Sequence, residues 1–312
     1  MALDPSVKAF LDQMGAVPGP KMWELTPVEA RATFDALMEL AGPKDIPIGK
    51  VRDVVAKTAV GDVPVRLYTP AGAGSGPLPV LVFFHGGGWV IGNINSHDGL
   101  CRMFANEGGF CVASVEYRLS PEIKHPAAVE DAYGATAWLA EHAGELGIDP
   151  NRMAVGGDSA GGNLAAVVAQ LAKTKGPKLL FQMLLFPVTH IGGDTASLRD
   201  FATGYFLETP GLEWFYECYT TPGGDRSDPQ MSPLLAKDLT GLPPAFVMLA
   251  GFDPLHDEGL RYAEKLRAAG VKVEVKDYPE MVHDFIYLQA MVPKAPGAVA
   301  EAAKAVSAAL KG

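Results

Sequence analysis

The stretch Gly157-Asp158-Ser159-Ala160-Gly161 constrains the fold of this chain more than any other part of the sequence. It fits the pattern G-x-S-x-G, in which a serine stands on a tight turn between small residues, because larger side chains would collide with the adjoining strand and helix. A short apolar run at 153–155 precedes the turn, and a helical pattern follows it from Leu164. This context predicts a serine lifted out of a sheet, where it can act as a nucleophile.

Strand and helix patterns alternate along most of the remaining chain. Apolar runs predict strands at 80–84, 110–116, 179–186, 245–250 and 271–278, and periodic stretches predict helices at 97–106, 127–146, 255–269 and 297–310. Two alternating runs, 51–60 and 63–68, are joined at Gly61-Asp62 and predict an antiparallel hairpin. The fold class is therefore α/β, with a mostly parallel central sheet and helices on both faces.

Two segments interrupt the alternation. Residues 1–45 contain two short helical patterns, the second opened by Thr26-Pro27-Val28-Glu29, which suits a helix N-terminus. Residues 189–232 show no clean strand and contain many aromatic residues. Neither segment can bury its own apolar side chains, so we expect both to lie on a main domain formed by residues 46–188 and 233–312.

The composition excludes several classes of function. The formal net charge of −10 argues against nucleic acid and anionic membranes as partners, since both attract basic surfaces. The apolar stretches are too short to span a bilayer, and the N-terminus lacks the pattern of a signal peptide. Three irregularly spaced cysteines, with no C-x-x-C, suggest reduced side chains and a cytoplasmic location. No metal-binding motif and no complete nucleotide-binding motif is present, so no metal or cofactor is expected.

A nucleophilic serine needs a base, which in G-x-S-x-G hydrolases follows an acid late in the chain. Of the histidines after Ser159, His283 lies just beyond the last predicted strand, where the base is required. Asp253 directly follows the 245–250 strand and is favoured as the acid. Its rivals, Asp257 and Glu258, fall in a first helical turn, where carboxylates commonly interact with the helix dipole.

An oxyanion hole requires backbone N–H groups that can point at a developing negative charge. His85-Gly86-Gly87-Gly88 follows a buried strand and matches the H-G-G-G arrangement of lipases and esterases. We expect Gly87, Gly88 and Ala160 to supply the donors.

These motifs, together with 116–122, 126–131 and 253–259, resemble those of the hormone-sensitive-lipase family of α/β-hydrolases, known in bacteria as family IV esterases. The resemblance extends over residues 80–283. It implies a serine carboxylesterase that hydrolyses short- to medium-chain acyl esters with Ser159, Asp253 and His283. It also implies a helical cap over the active site, formed by 1–45 and 189–232, and only family precedent suggests that an edge strand could pair two subunits into a homodimer.

Candidate substrate-pocket residues are Trp89, Asp158, Tyr205, Phe206 and Trp214, although aromatic residues of a cap more often pack than touch substrate. The alternatives are an amidase, deacetylase or acyltransferase with the same catalytic residues and, in a different class, a ligand-binding receptor. Asp284 departs from the family, which usually has glycine after this histidine. Its carboxylate would either raise the pKa of the imidazolium or face solvent.

Overall fold

One eight-stranded sheet forms the centre of the computed structural model, which describes residues 2–311. The strands are β1 (Lys50–Thr58), β2 (Gly61–Thr69), β3 (Leu78–Phe84), β4 (Cys111–Val115), β5 (Ile148–Asp158), β6 (Phe181–Leu185), β7 (Ala245–Phe252) and β8 (Val273–Val282). Their order across the sheet is β1-β2-β4-β3-β5-β6-β7-β8. Strand β2 is antiparallel to β1 and β4, and the other neighbours are parallel. The predicted mostly parallel sheet with an antiparallel start is confirmed.

Ten α-helices lie within residues 2–311. They are α1 (Pro5–Ala16), α2 (Pro27–Ala41), α3 (Asp98–Gly108), α4 (Ala127–Glu141), α5 (Ala143–Leu146), α6 (Ala160–Lys175), α7 (Ala196–Asp200), α8 (Thr209–Tyr219), α9 (His256–Ala268) and α10 (Ala295–Leu310). None of these helices has both the length and the apolar character needed to cross a bilayer.

The two faces of the sheet belong to separate hydrophobic cores. In β3, Val80, Val82 and Phe84 join a core with α4, α6 and α9, while Leu81 and Phe83 join a core with α3 and α10. Alternate residues of a strand point to opposite faces, so both faces of β3 are buried and its sequence is continuously apolar. The predicted helices on both faces are confirmed.

Predicted and observed element boundaries differ, and three of the differences change a turn, a helix or a strand end. The first hairpin turns at Ala59 and Val60, because Thr58 pairs with Gly61 and the two-residue connection fits the twist of the strands. The predicted helix 127–146 is divided at His142, whose ring Nδ1–H donates to the Trp138 carbonyl at 3.0 Å. Strand β8 continues to Val282, four residues beyond its predicted end.

The two segments outside the strand–helix alternation contact each other. Thr26 caps α2 as predicted: its Oγ1 accepts from the Glu29 N–H at 3.3 Å, and its own N–H donates to the Glu29 carboxylate at 2.9 Å. Between α1 and α2, Lys21 pairs at 3.0 Å with Glu208, a nearly buried carboxylate at the start of α8. Residues of α2, α8 and the loop after β3 form a third, smaller hydrophobic cluster: Ala30, Val90, Ile91 and Phe215.

Candidate active site

Ser159 stands between β5 and α6 with a strained backbone. Its φ of 53° and ψ of −117° lie in a region that residues other than glycine rarely occupy. Such strain costs about 1–3 kcal/mol and persists only where the surroundings fix it. Here the Ser159 N–H donates to the Leu185 carbonyl at 2.8 Å, and the Ser159 carbonyl accepts from the Asn163 N–H at 3.0 Å. A Cβ on Gly161 would lie 1.9 Å from the Phe84 carbonyl oxygen, so the turn requires glycine there.

The pairing of β7 with β8 brings Asp253 and His283 together. Phe252 pairs with Val282, so the next residue of each strand lies at the same edge of the sheet. His283 Nδ1 is 2.6 Å from Asp253 Oδ2, and His283 Nε2 is 3.0 Å from Ser159 Oγ. The second Asp253 oxygen accepts from the Leu255 N–H at 2.8 Å. These contacts favour the tautomer with the proton on Nδ1, which leaves Nε2 free to accept the serine proton.

The two rival acids bond elsewhere. Asp257 accepts from the Ser197 N–H at 3.1 Å, and Glu258 accepts from the N–H groups of Thr189 and His190 at 2.6 and 3.1 Å. Glu258 therefore fixes the loop after β6, a role for which the sequence offered no signal beyond its place in the 253–259 motif. Burial raises the pKa of Glu258 to about 8.

A second carboxylate lies next to the imidazole. Asp284 has a left-handed backbone (φ 52°), and its Oδ2 is 3.3 Å from His283 Nε2. Burial opposes a charge on His283, but the Asp253 and Asp284 carboxylates outweigh it and raise the pKa of His283 well above its ordinary value. Burial also raises the pKa of Asp284, although the neighbouring His283 opposes that change. Of the two positions expected for the Asp284 carboxylate, the structure shows the one that faces the base.

Three backbone N–H groups near the serine have no acceptor among residues 2–311. They belong to Gly87, Gly88 and Ala160. The loop that carries the two glycines is held by the Gly87 carbonyl, which accepts from the N–H groups of Val90 and Ile91 at 3.0 and 2.9 Å. These unpaired donors have the property that stabilisation of an oxyanion requires.

Asp158 is 1% exposed and lies under the same loop. Its Oδ1 accepts from the Gly86 N–H at 3.1 Å, and its Oδ2 would lie 2.0 Å from a Cβ at Gly86. His85 is also buried, which lowers its pKa to about 3 and keeps it neutral, and its Nδ1–H donates to the Gly86 carbonyl at 2.8 Å. These contacts indicate that Asp158 positions the loop. They favour that role more than the predicted contact with substrate.

The four predicted aromatic pocket residues are dispersed. Trp89 is fully buried and stacks on Tyr219 with 4.1 Å between ring centroids, a packing position that does not support substrate contact. Tyr205 stacks on Phe252, and Phe206 packs on Phe10 of α1. Trp214 packs edge-on against its neighbour Phe215 in the third cluster.

Phe215 was not predicted as a site residue, although it directly contacts the oxyanion loop, the loop that carries Gly87 and Gly88. A Cβ on Gly88 would lie 2.3 Å from the Phe215 ring. The close packing of this ring on a glycine depends on the path of α8 relative to β3. No local pattern in the sequence encodes that path. Within residues 2–311, no group of three or more histidine, cysteine or acidic side chains is arranged to hold a metal ion.

Comparisons with known proteins agree with this fold. Residues 81–287 match a protein family described as having the alpha/beta hydrolase fold. The chain is 45% identical over 268 residues to the carboxylic ester hydrolase LipN of Mycobacterium tuberculosis, covering 84% of this chain and 70% of that protein. It is 39% identical over 312 residues to the ethyl acetate hydrolase of Pseudomonas putida, covering 95% of each.

A solved structure is similar over nearly the whole chain. It is an ester-hydrolase, EH1AB1, from the metagenome of Lake Arreo, in complex with a derivative of bipyridine phosphonate. The TM-score is 0.95 at 39% identity, with 99% of this chain and 100% of the other covered.

Proposed function

Since the chain belongs to the hormone-sensitive-lipase-like group of the α/β-hydrolase family and is a carboxylic ester hydrolase, we propose that Ser159, His283 and Asp253 hydrolyse esters through a covalent acyl-enzyme. The observation that carries this proposal is the continuous chain of short contacts from Asp253 Oδ2 through His283 to Ser159 Oγ, at 2.6 and 3.0 Å.

In the first step, Ser159 Oγ attacks the ester carbonyl carbon and His283 Nε2 takes the hydroxyl proton. The electron pair of the C=O bond moves to the carbonyl oxygen, which becomes an oxyanion. The unpaired N–H groups of Gly87, Gly88 and Ala160 are the proposed donors to that oxygen, and Asp253 stabilises the imidazolium. The imidazolium then gives its proton to the leaving alcohol as the C–O bond of the ester breaks.

In the second step, a water molecule takes the place of the alcohol. His283 Nε2 accepts a proton from this water, whose oxygen attacks the acyl carbon. Collapse of the second tetrahedral intermediate releases the carboxylic acid and returns the proton to Ser159 Oγ. Both steps use the same base and the same donors, so one arrangement of residues suffices for the full cycle.

We further propose that 1–45 and 189–232 form a cap and limit the acyl chain to about two to eight carbons, since an enclosed site buries a ligand of limited size. The packing of Phe215 on Gly88 and the ion pair between Lys21 and Glu208 support this proposal. Rates on p-nitrophenyl esters of increasing chain length test the limit. Faster hydrolysis of emulsified long-chain triglycerides than of butyrate esters would contradict it.

Replacement of Ser159 by alanine tests the mechanism. We expect Ser159→Ala to abolish p-nitrophenyl ester hydrolysis and the stoichiometric reaction with an organophosphate, without a change in the circular dichroism spectrum. Ser75→Ala, in an exposed loop, is the matched control and retains both. Near-wild-type turnover of Ser159→Ala would rule out the serine as nucleophile. Turnover that persists in His283→Ala would rule out the proposed base.

A further inference from the structure

Asp284 and Ser159 approach the same nitrogen of His283. Ser159 Oγ is 3.0 Å and Asp284 Oδ2 is 3.3 Å from Nε2. The Asp284 side chain is 17% exposed, and its other oxygen, Oδ1, is buried with no hydrogen-bond partner among the described residues. The carboxylate is thus confined to the immediate surroundings of the base.

A neutral imidazole and an ionised carboxylate cannot bond to each other at this position. With the proton on Nδ1, Nε2 presents a lone pair, and an ionised carboxylate presents only lone pairs. The contact becomes favourable when one proton lies between the two groups. Nε2 has a single lone pair, so a proton held there excludes the hydrogen bond from the Ser159 hydroxyl.

We propose that Asp284 is a positioning residue that holds a proton on His283 Nε2 as the solution becomes acidic, in competition with Ser159, and so sets the lower pH limit of hydrolysis. This inference rests on the proposed function, because it requires His283 to be the base. While the proton is held, Nε2 cannot accept the Ser159 proton, so the bond from Oγ to the acyl carbon does not form.

The surrounding groups favour the shared proton. Asp253 faces His283 from the end of β7, and Asp158 acts on Asp284 from the end of β5 and disfavours its charge. The Phe186 ring, after β6, packs edge-on against the imidazole. Tyr287, in the turn after Asp284, is buried and uncharged because burial raises its pKa well above the ordinary value. Among residues 2–311, His283 is the one ion-pair partner of Asp284 within 4.0 Å.

Two substitutions of Asp284 test the proposal. Asp284→Asn keeps the size of the side chain and tolerates the left-handed backbone but carries no charge, and Asp284→Gly removes the side chain altogether. We expect the acid limb of kcat/KM in both variants to move to lower pH by about one to three units, the usual effect of one adjacent charge. The kcat at alkaline pH changes little, because the wild-type imidazole is already neutral there. Glu107→Gln, an exposed carboxylate on α3, controls for net charge and leaves the limb unmoved.

Titration of the His283 ring by NMR gives a second readout that does not depend on turnover. We expect the imidazolium of Asp284→Asn and Asp284→Gly to deprotonate at lower pH than that of the wild type. The proposal is overturned if the acid limb and the ring titration of both variants coincide with those of the wild type while His283→Ala is inactive. Activity that survives in His283→Ala would instead overturn the proposed function.

Discussion

Gly88 is restricted by its backbone and by its surroundings. Its φ is +58°, and a Cβ would lie 2.3 Å from the Phe215 ring. We expect Gly88→Ala to displace the loop and misplace its N–H donor, which lowers kcat about 10²–10³-fold on p-nitrophenyl butyrate. Gly109→Ala is the matched control, because Gly109 has a φ of +68° with no atom within 4 Å of its Cβ position. Equal losses in both variants would show that a general effect of the substitution on the fold, and not a displaced Gly88 N–H, lowers kcat.

The sequence predicted the residues that belong to a catalytic motif. It did not predict residues whose role is only to pack against or position other groups. The sequence placed Ser159, Asp253 and His283 at the ends of their strands, and the structure brings them within hydrogen-bond distance. It did not predict that Asp158 would lie under the oxyanion loop. The direction of the Asp284 side chain was also left open, because the sequence does not show whether a side chain next to His283 points to solvent or to the ring.

Among the elements, the C-terminus of α8 is held by Lys124, a residue outside the segment 189–232. Lys124 Nζ donates to the carbonyls of Glu217, Cys218 and Thr220 at 2.8, 2.6 and 3.1 Å, where the helix ends. Such an interaction satisfies carbonyls that a helix terminus leaves free. The same helix carries Phe215 onto the oxyanion loop, so its C-terminus affects the site.

We therefore expect Lys124→Met to loosen α8. A hydrogen bond to a charged donor contributes about 1.5–3 kcal/mol to stability. Because Lys124→Met removes the donor to three carbonyls, we expect a measurable fall in the free energy of unfolding. In Lys124→Met we expect faster limited proteolysis within residues 189–232 and a higher KM for p-nitrophenyl esters. Lys173→Met, which removes a single pair with the exposed Asp238 carboxylate, is the control and changes stability by about 0–1 kcal/mol. Unchanged proteolysis of Lys124→Met would contradict this role.

Element boundaries were less predictable than element types. The extension of β8 through Pro279 was missed because proline donates no ladder hydrogen bond and usually ends a strand. Strand β8 is at the edge of the sheet and tolerates proline, and the register shifts opposite it between Ala250 and Phe252. That irregularity sets the position of His283, and no periodic pattern encodes it.

For the whole molecule, two groups of α9 make stability depend on pH in the same direction. Hydrogen bonds with Asp277, and with Asp257, raise the pKa of His256 from 6.5 to about 9. Burial raises the pKa of Glu258 from 4.5 to about 8. A raised folded-state pKa means that the native protein binds more protons than the unfolded chain, so its stabilising effect is lost as pH rises through the folded pKa.

We expect these two groups to lower the free energy of unfolding as the pH rises from 6.5 to 9, with a slope of at most about 1.4 kcal/mol per pH unit for each group. Urea denaturation at several pH values measures it. Glu258→Gln should remove the part of the slope between pH 4.5 and 8, and His256→Gln the part between 6.5 and 9. Slopes identical to that of the wild type would show that neither group titrates as described.

The distribution of the reacting side chains over the sheet has a consequence for biosynthesis. Ser159 leaves the ribosome long before Asp253 and His283, and its hydroxyl meets His283 across 124 residues of chain. Synthesis runs from the N-terminus, and within residues 2–311 β8, at the edge of the sheet, pairs only with β7. Under the proposed mechanism, a nascent chain that lacks β8 has no His283 to act as the base for Ser159. On that mechanism, ester cleavage begins only once β8 has paired with β7, so chains that end before His283 are expected to be inactive.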